Sequence, residues 1–180
     1  MISIQLIMIS LTTTRFNTDT WEQHKRWIND NKWKGSIYGT PIRVKEKIKR
    51  TMIVLEMHND KNEIMALGLV KNHFIVSDNN YHIYNDRNYN RYIYNSDYRI
   101  VLNEFELLPI EKKIIAIFNT LLFKGACHSK RAQGITEVPS WIMNNKQIDF
   151  LKYFKAIFKR KYKQNDNLCI HTHLNTSRDQ

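Results

Sequence analysis

Apolar residues along this chain recur with two different periods, and the change of period divides it. The opening run "ISIQLIMIS", residues 2–10, is apolar almost throughout and predicts a buried strand. It lacks the basic lead and small-residue cleavage site of a secretory leader, and it is far shorter than the ~20 residues of a membrane helix. Helical spacing follows in "TTTRFNTDTWEQHKRWINDN", where Trp21, His24, Trp27 and Ile28 fall three and four residues apart. Asp19 or Thr20 is placed to cap this helix, with Glu22 or Gln23 in its first turn and an end expected at 29–31. "KWKGSIYGTP" then reads as a loop or short strand, and "IRVKEKIKR" as a short basic helix.

The clearest β pattern is "TMIVLEMHNDKNEIMALGLV", two apolar runs at 52–57 and 64–70 around a polar "HNDKNE" turn. Gly68 inside the second run predicts a bulge or a close backbone approach. The tyrosine-rich "YHIYNDRNYNRYIYNSDYR" supplies further strands near 81–84, 90–94 and 98–102. From Pro109 the period becomes helical again. Pro109 opens a helix with Ile110, Ile114, Ile117, Phe118 and Leu121 on its inner face, and Gly125 lies beyond its end. "CHSKRAQGITEVPSW" reads as a loop, and "QIDFLKYFKAIFKRKYK" as a second amphipathic helix burying Leu151, Phe154, Ile157 and Phe158. Strands followed by helices predict one α+β domain over 1–163, with 164–180 as a flexible tail.

Charge changes this picture more than composition does. With 42% hydrophobic and 25% charged residues the chain is ordinary for a globular domain, but 28 Lys and Arg against 17 acidic residues leave a net +11. Such an excess favours phosphate-bearing partners, although Lys, Asn, Ile and Tyr together also suit an AT-rich genome. Two cysteines make no disulfide framework, so a reducing compartment is expected: cytoplasm or nucleus, a virus-infected host cell included. No membrane partner is expected.

Candidate chemistry lies mainly in aromatic and basic residues. Arg91, Tyr92 and Tyr94 sit in the tyrosine run, where exposed rings beside Arg and Asn would stack bases and reach their edges. Tyr is equally a favoured strand residue that packs across strands. Lys152, Lys155, Lys159 and Lys163 form a stripe on the last helix, and Arg43, Lys45, Lys47, Lys49 and Arg50 a second patch. Either would suit a phosphate backbone or simply solvate a helix. Lys130 and Arg131, with His128 and Gln133, form a polar loop able to hold a phosphate.

The opening aromatic helix, the loop with Gly35 and Gly39, strand "MIVLEM", a polar turn and strand "IMALGLV" follow one another over roughly residues 10–105. This order resembles the PUA-like superfamily, in particular its EVE and YTH branches. The resemblance implies a small mixed β-barrel or curled sheet with flanking helices, and binding of RNA or a modified base in an aromatic-lined pocket. By position it assigns Trp21, Trp33 and Tyr38 to that pocket. The helical third from Pro109 has no counterpart in it.

Two other functions fit parts of the chain. Glu56, Asp60 and Glu63 near His58 would suit a metal-dependent nuclease or another nucleic-acid-processing enzyme. A tyrosine- and arginine-rich surface would also suit a protein–protein adaptor. Cys127, His128, Cys169, His171 and His173 match no familiar closed zinc site, so neither metal nor cofactor is expected. The reading that accounts for most of these features is a nucleic-acid-binding module without catalysis.

Overall fold

The computed structural model describes residues 8–76 and 81–162; residues 2–7 of the opening apolar run, Lys163 and the expected tail lie outside the described residues. Its elements are β1 (Ile9–Phe16), α1 (Thr18–Asp30), β2 (Ser36–Thr40), β3 (Thr51–His58), β4 (Glu63–Lys71), β5 (Ile75–Val76), β6 (Tyr92–Ser96), β7 (Arg99–Val101), α2 (Pro109–Phe123), β8 (Thr136–Glu137), α3 (Ser140–Met143) and α4 (Phe150–Tyr162). The class is α+β. Among the described residues the strands form two open sheets, ordered β7-β4-β3-β1-β8 and β2-β6-β5, and no closed barrel.

Strand β3 explains why the hairpin carries so little polar alternation. Every residue of Thr51–His58 is buried, because both faces of the larger sheet are covered. Ile53, Leu55 and Met57 point into a core shared with Phe118, Leu122, Phe154, Ile157 and Phe158 of α2 and α4. Met52 and Val54 point the other way, into a second core with Trp21, Ile37, Tyr38, Ile93 and Tyr94. The molecule is therefore layered, with α2 and α4 on one side of the large sheet and the small sheet with α1 on the other. Strands β3 and β4 pair antiparallel as expected, with the irregularity at Glu56/Met57 rather than at Gly68. Strand β1 runs parallel to β3, and residues 17–50 supply the long crossover that a parallel pair requires.

Gly68 is the close approach. A Cβ there would stand 2.0 Å from the Tyr38 hydroxyl oxygen and 2.4 Å from Ser36 Oγ, so glycine is what lets the two sheets meet. The cap of α1 is Asn17, two or three residues before the expected Asp19 or Thr20. Asn17 Oδ1 accepts from the Thr20 N–H at 2.8 Å, while the Thr20 hydroxyl oxygen accepts from the Asn17 N–H at 3.0 Å. Pro109 does open α2, and Gly125 sits beyond its end at φ +80°. The buried face of α2 is turned from the expected one: Ile115, Leu122 and Phe123 join Ile114 and Phe118 inside, while Ile110 and Ile117 face out.

Three further expectations need correction. Residues 42–50 form turns, not a basic helix: the Val44 and Ile48 spacing looks helical, but tertiary bonds take over the backbone. The Val44 N–H donates to the Tyr94 hydroxyl at 2.8 Å, and Asn72 Nδ2 donates to the Ile48 carbonyl at 3.1 Å. Residues 81–84 form no strand. The buried Asn90 side chain takes the place of a neighbouring strand, accepting from the N–H groups of Ile83 and Tyr84 at 3.0 Å each and donating to the Tyr84 carbonyl at 2.7 Å. Finally, Trp21, Tyr38 and Tyr94 are core residues, with Tyr38 and Tyr94 at 1% and 0% exposure. Those rings offer no surface to a base.

Candidate nucleic-acid interface

The buried rings surround a charged centre. Glu56, fully buried on β3, receives the Arg99 guanidinium through two bonds of 2.8 Å and 2.6 Å and the Tyr38 hydroxyl at 2.8 Å. Burial alone would push this carboxyl up, but the charge and bonds of Arg99 outweigh burial, and with His24 and Tyr38 they hold it below its ordinary value. His24 is also fully buried, with Nε2 2.8 Å from the Ile37 carbonyl and rings of Phe16, Trp21, Tyr38 and Tyr84 around it. Burial brings its pKa down to about 4, against the opposing pull of Glu56, so the imidazole is neutral at pH 7. Arg99 completes the group by lying 5.8 Å from the Trp21 ring. All of this binds the molecule to itself. Glu56 is consumed by Arg99, and Asp60 accepts from the Thr18 N–H and hydroxyl at 2.8 Å and 2.7 Å, so the three carboxylates do not converge.

The open site lies where β1 runs out into α1. A cleft of about 260 Å³ is lined by Thr14, Arg15, Phe16, Asn17 and Thr20 on one side, by residues 130–134 on another, and by Gly39, Tyr84 and Tyr89. It lies at the carboxyl end of the parallel pair β1–β3. Gly39 keeps this wall thin, since a Cβ there would stand 2.3 Å from the Tyr89 carbonyl oxygen.

The loop forming the far wall is pinned from below. Arg15 Nε donates to the Ser129 carbonyl at 2.5 Å, its Nη2 to Thr13 Oγ1 at 2.9 Å, and Asn59 Nδ2 to the Lys130 carbonyl at 3.0 Å. With its carbonyls turned inward, the loop leaves the side chains of Lys130 and Arg131 at the cleft. Neither has an ion-pair partner among the described residues, and nor does Arg15. Burial lowers the Arg15 pKa to about 10, which still leaves it a cation at pH 7. Three cations therefore meet here with no carboxylate in the lining. Asp60, outside the lining, is held below its ordinary value by the Thr18 bonds and is also drawn down by Lys130. Two first-turn donors of α1, the N–H groups of Thr18 and Thr20, are already engaged by Asp60 and Asn17, so side chains supply most of the positive field.

The expected site residues thus fall in several places. Lys130 and Arg131 line the cleft. Arg91 is exposed and Tyr92 half-buried at the start of β6, with the Arg91 guanidinium carbon 5.7 Å from the Tyr92 ring. Trp33 is half-buried beside Trp27 at 5.9 Å, along a separate cavity that includes Arg99, Lys161 and Tyr162. Lys155 and Lys159 are on α4, across the large sheet from Tyr94, so they share no face with it. Sequence reasoning missed Arg15, Tyr89 and Asn59 as cleft residues. Arg15 gave no legible signal, because the sequence places the strand at 2–10, whereas β1 runs over Ile9–Phe16 with the neighbours of Arg15 buried.

Comparison with family models, with curated protein sequences and with solved structures gives no match, so the geometry of the cleft carries the functional reading.

Proposed function

We propose that this protein is a nucleic-acid-binding module of the PUA-like kind that takes RNA, a modified base included, at the cleft between β1, the 130–134 loop and Tyr89. The observation that carries this is the pairing of three cations that form no ion pair among the described residues with a half-buried tyrosine in one concave, carboxylate-free lining. Lys130 and Arg131 would hold phosphate oxygens, Arg15 would add field and fix the loop, and Tyr89 would stack a base. The element order β1, α1, β2, β3, β4 over residues 9–71 supports the resemblance. Among the described residues no helix is long and apolar enough to cross a membrane.

Fluorescence anisotropy with labelled single-stranded RNA tests the reading. Binding should weaken steeply with salt. Lys130→Gln with Arg131→Gln should reduce affinity about tenfold or more and flatten the salt slope by about 0.7 for each phosphate left without its cation. Affinity that ignores both salt and the double substitution would remove the proposal.

A further inference from the structure

A second basic surface adjoins the cleft, and the function above does not use it. The turn-rich residues 42–50 and the segment after β4 enclose an open groove of about 570 Å³, lined by Arg43, Lys45, Arg50, His73 and Phe74 among others, with Glu46 its one carboxylate. Its aromatic wall is built. Phe74 meets Tyr92 edge to face at 5.1 Å, and the Arg43 guanidinium carbon lies 4.8 Å from the Phe74 ring and 5.2 Å from that of Tyr92. Two rings thus fix a side chain that is itself exposed, and a held guanidinium is a stacking surface as well as a charge.

The groove and the cleft are linked by short chain segments. Gly134 of the cleft loop packs on Thr40 and Ile42, a Cβ there standing 3.5 Å from Thr40 Cβ and 3.3 Å from Ile42 Cγ1. Thr40 pairs with Tyr92 between β2 and β6, and Arg43 follows Ile42 directly. Tyr89 of the cleft lies within a 3-10 turn, Arg87–Asn90, and Tyr92, which packs against Phe74 and Arg43 of the groove, opens β6 two residues after that turn. Ile42 between the two sites is 51% exposed and blocks neither.

We infer that the groove of Arg43, Lys45, Arg50 and Phe74, backed by Tyr92, is a second contact surface for the same strand, so that a single-stranded nucleic acid runs from the cleft across Thr40–Ile42 onto it. This rests on the nucleic-acid reading of the cleft and extends it to a length and a strandedness. Single strands are favoured over duplex because both sites pair cations with rings or a ring-held guanidinium, and only unpaired bases have faces free to stack on them. The charge balance of the groove suits a polyanion.

The test compares labelled oligonucleotides of about 4 and about 16 nucleotides, the range of single-strand site sizes on small domains. They are titrated against wild type, a cleft variant (Lys130→Gln, Arg131→Gln) and a groove variant (Arg43→Gln, Arg50→Gln), with thermal melts confirming that each variant folds. The groove variant should bind the longer strand about tenfold more weakly, with a flatter salt slope, and bind the short one as wild type does. The cleft variant should weaken both. Unchanged binding of the longer strand by the groove variant, with weakened binding in the cleft variant, would overturn the extended path while leaving the cleft reading intact. Failure of the groove variant to hold the short strand would overturn it too, as would a duplex of equal length that binds as tightly as the single strand. Wild-type binding by both variants would remove the cleft reading as well.

Discussion

Removing Arg99 is the most informative perturbation of the fold, because it isolates a buried carboxylate. Arg99→Met leaves Glu56 at 0% exposure with the Tyr38 hydroxyl as its remaining close donor. Breaking a buried pair in this way costs about 3–5 kcal/mol. Domains are stable by only about 5–15 kcal/mol, so about a fifth or more of the total is at stake. At this chain size each kcal/mol moves the melting temperature by about 2–4 °C, giving a fall of roughly 6–20 °C. The exposed Lys25–Glu22 pair on α1, at 46% and 54% side-chain exposure, serves as the control. Its loss in Lys25→Met should cost about 1 kcal/mol or less. Replacing both core partners, with Arg99→Met and Glu56→Gln, should recover part of the loss, since a neutral amide still accepts from Tyr38 and is cheaper to bury than a charge. Urea unfolding with an unchanged slope would report these values. Were Arg99→Met to melt within about 2 °C of wild type, the pair would not be a desolvated one and this account of the core would fail.

Three further substitutions probe separate links. Gly68→Ala should destabilise by about 1–3 kcal/mol, since the methyl group meets Tyr38 and Ser36 and must shift the hydroxyl that bonds Glu56; a change under about 0.5 kcal/mol in chemical unfolding would refute the close approach. Burial lowers the His24 pKa from 6.5 to about 4, so unfolding takes up a proton across that window. Stability from this group is complete above about pH 6.5 and falls as the pH drops towards 4, by about 3 kcal/mol in all; His24→Gln should remove most of that slope, and melts at pH 7 and pH 5 that fall as steeply as wild type would contradict it. Arg15→Lys retains the charge but loses the fork that holds Ser129 and Thr13, so RNA affinity should fall several-fold through a displaced loop, whereas full affinity would show that the loop needs no clamp.

The hairpin, both long C-terminal helices and α1 were legible because their periods are strong, and α2 also because Pro109 and Gly125 mark its ends, whereas the Asn17 cap of α1 was read two or three residues too late. What misled was chemistry that one period can represent in two ways. Val44 and Ile48 sit four apart on a turn-rich segment held by Tyr94 and Asn72, a tertiary effect that overrides local spacing. Tyrosines in a β-like run looked like surface, yet β6 is covered on both faces, with Ile93 and Tyr94 both at 0% exposure. The cleft was half legible. Lys130 and Arg131 stood out as a polar loop, but nothing in the linear order brings residues 130–134 beside Arg15 and Tyr89. That meeting depends on β8 pairing with β1 at Thr12–Glu137 and Thr13–Thr136, a two-residue bridge too short to announce itself.

Ultraviolet cross-linking of a uridine-rich RNA, followed by mass mapping of the modified peptides, bears most directly on the cleft. Adducts at Tyr89 and within residues 128–134, absent from the Lys130→Gln, Arg131→Gln protein, are the predicted result. Adducts confined to α4 or to the Trp33 cavity, with the cleft unmodified, would contradict it.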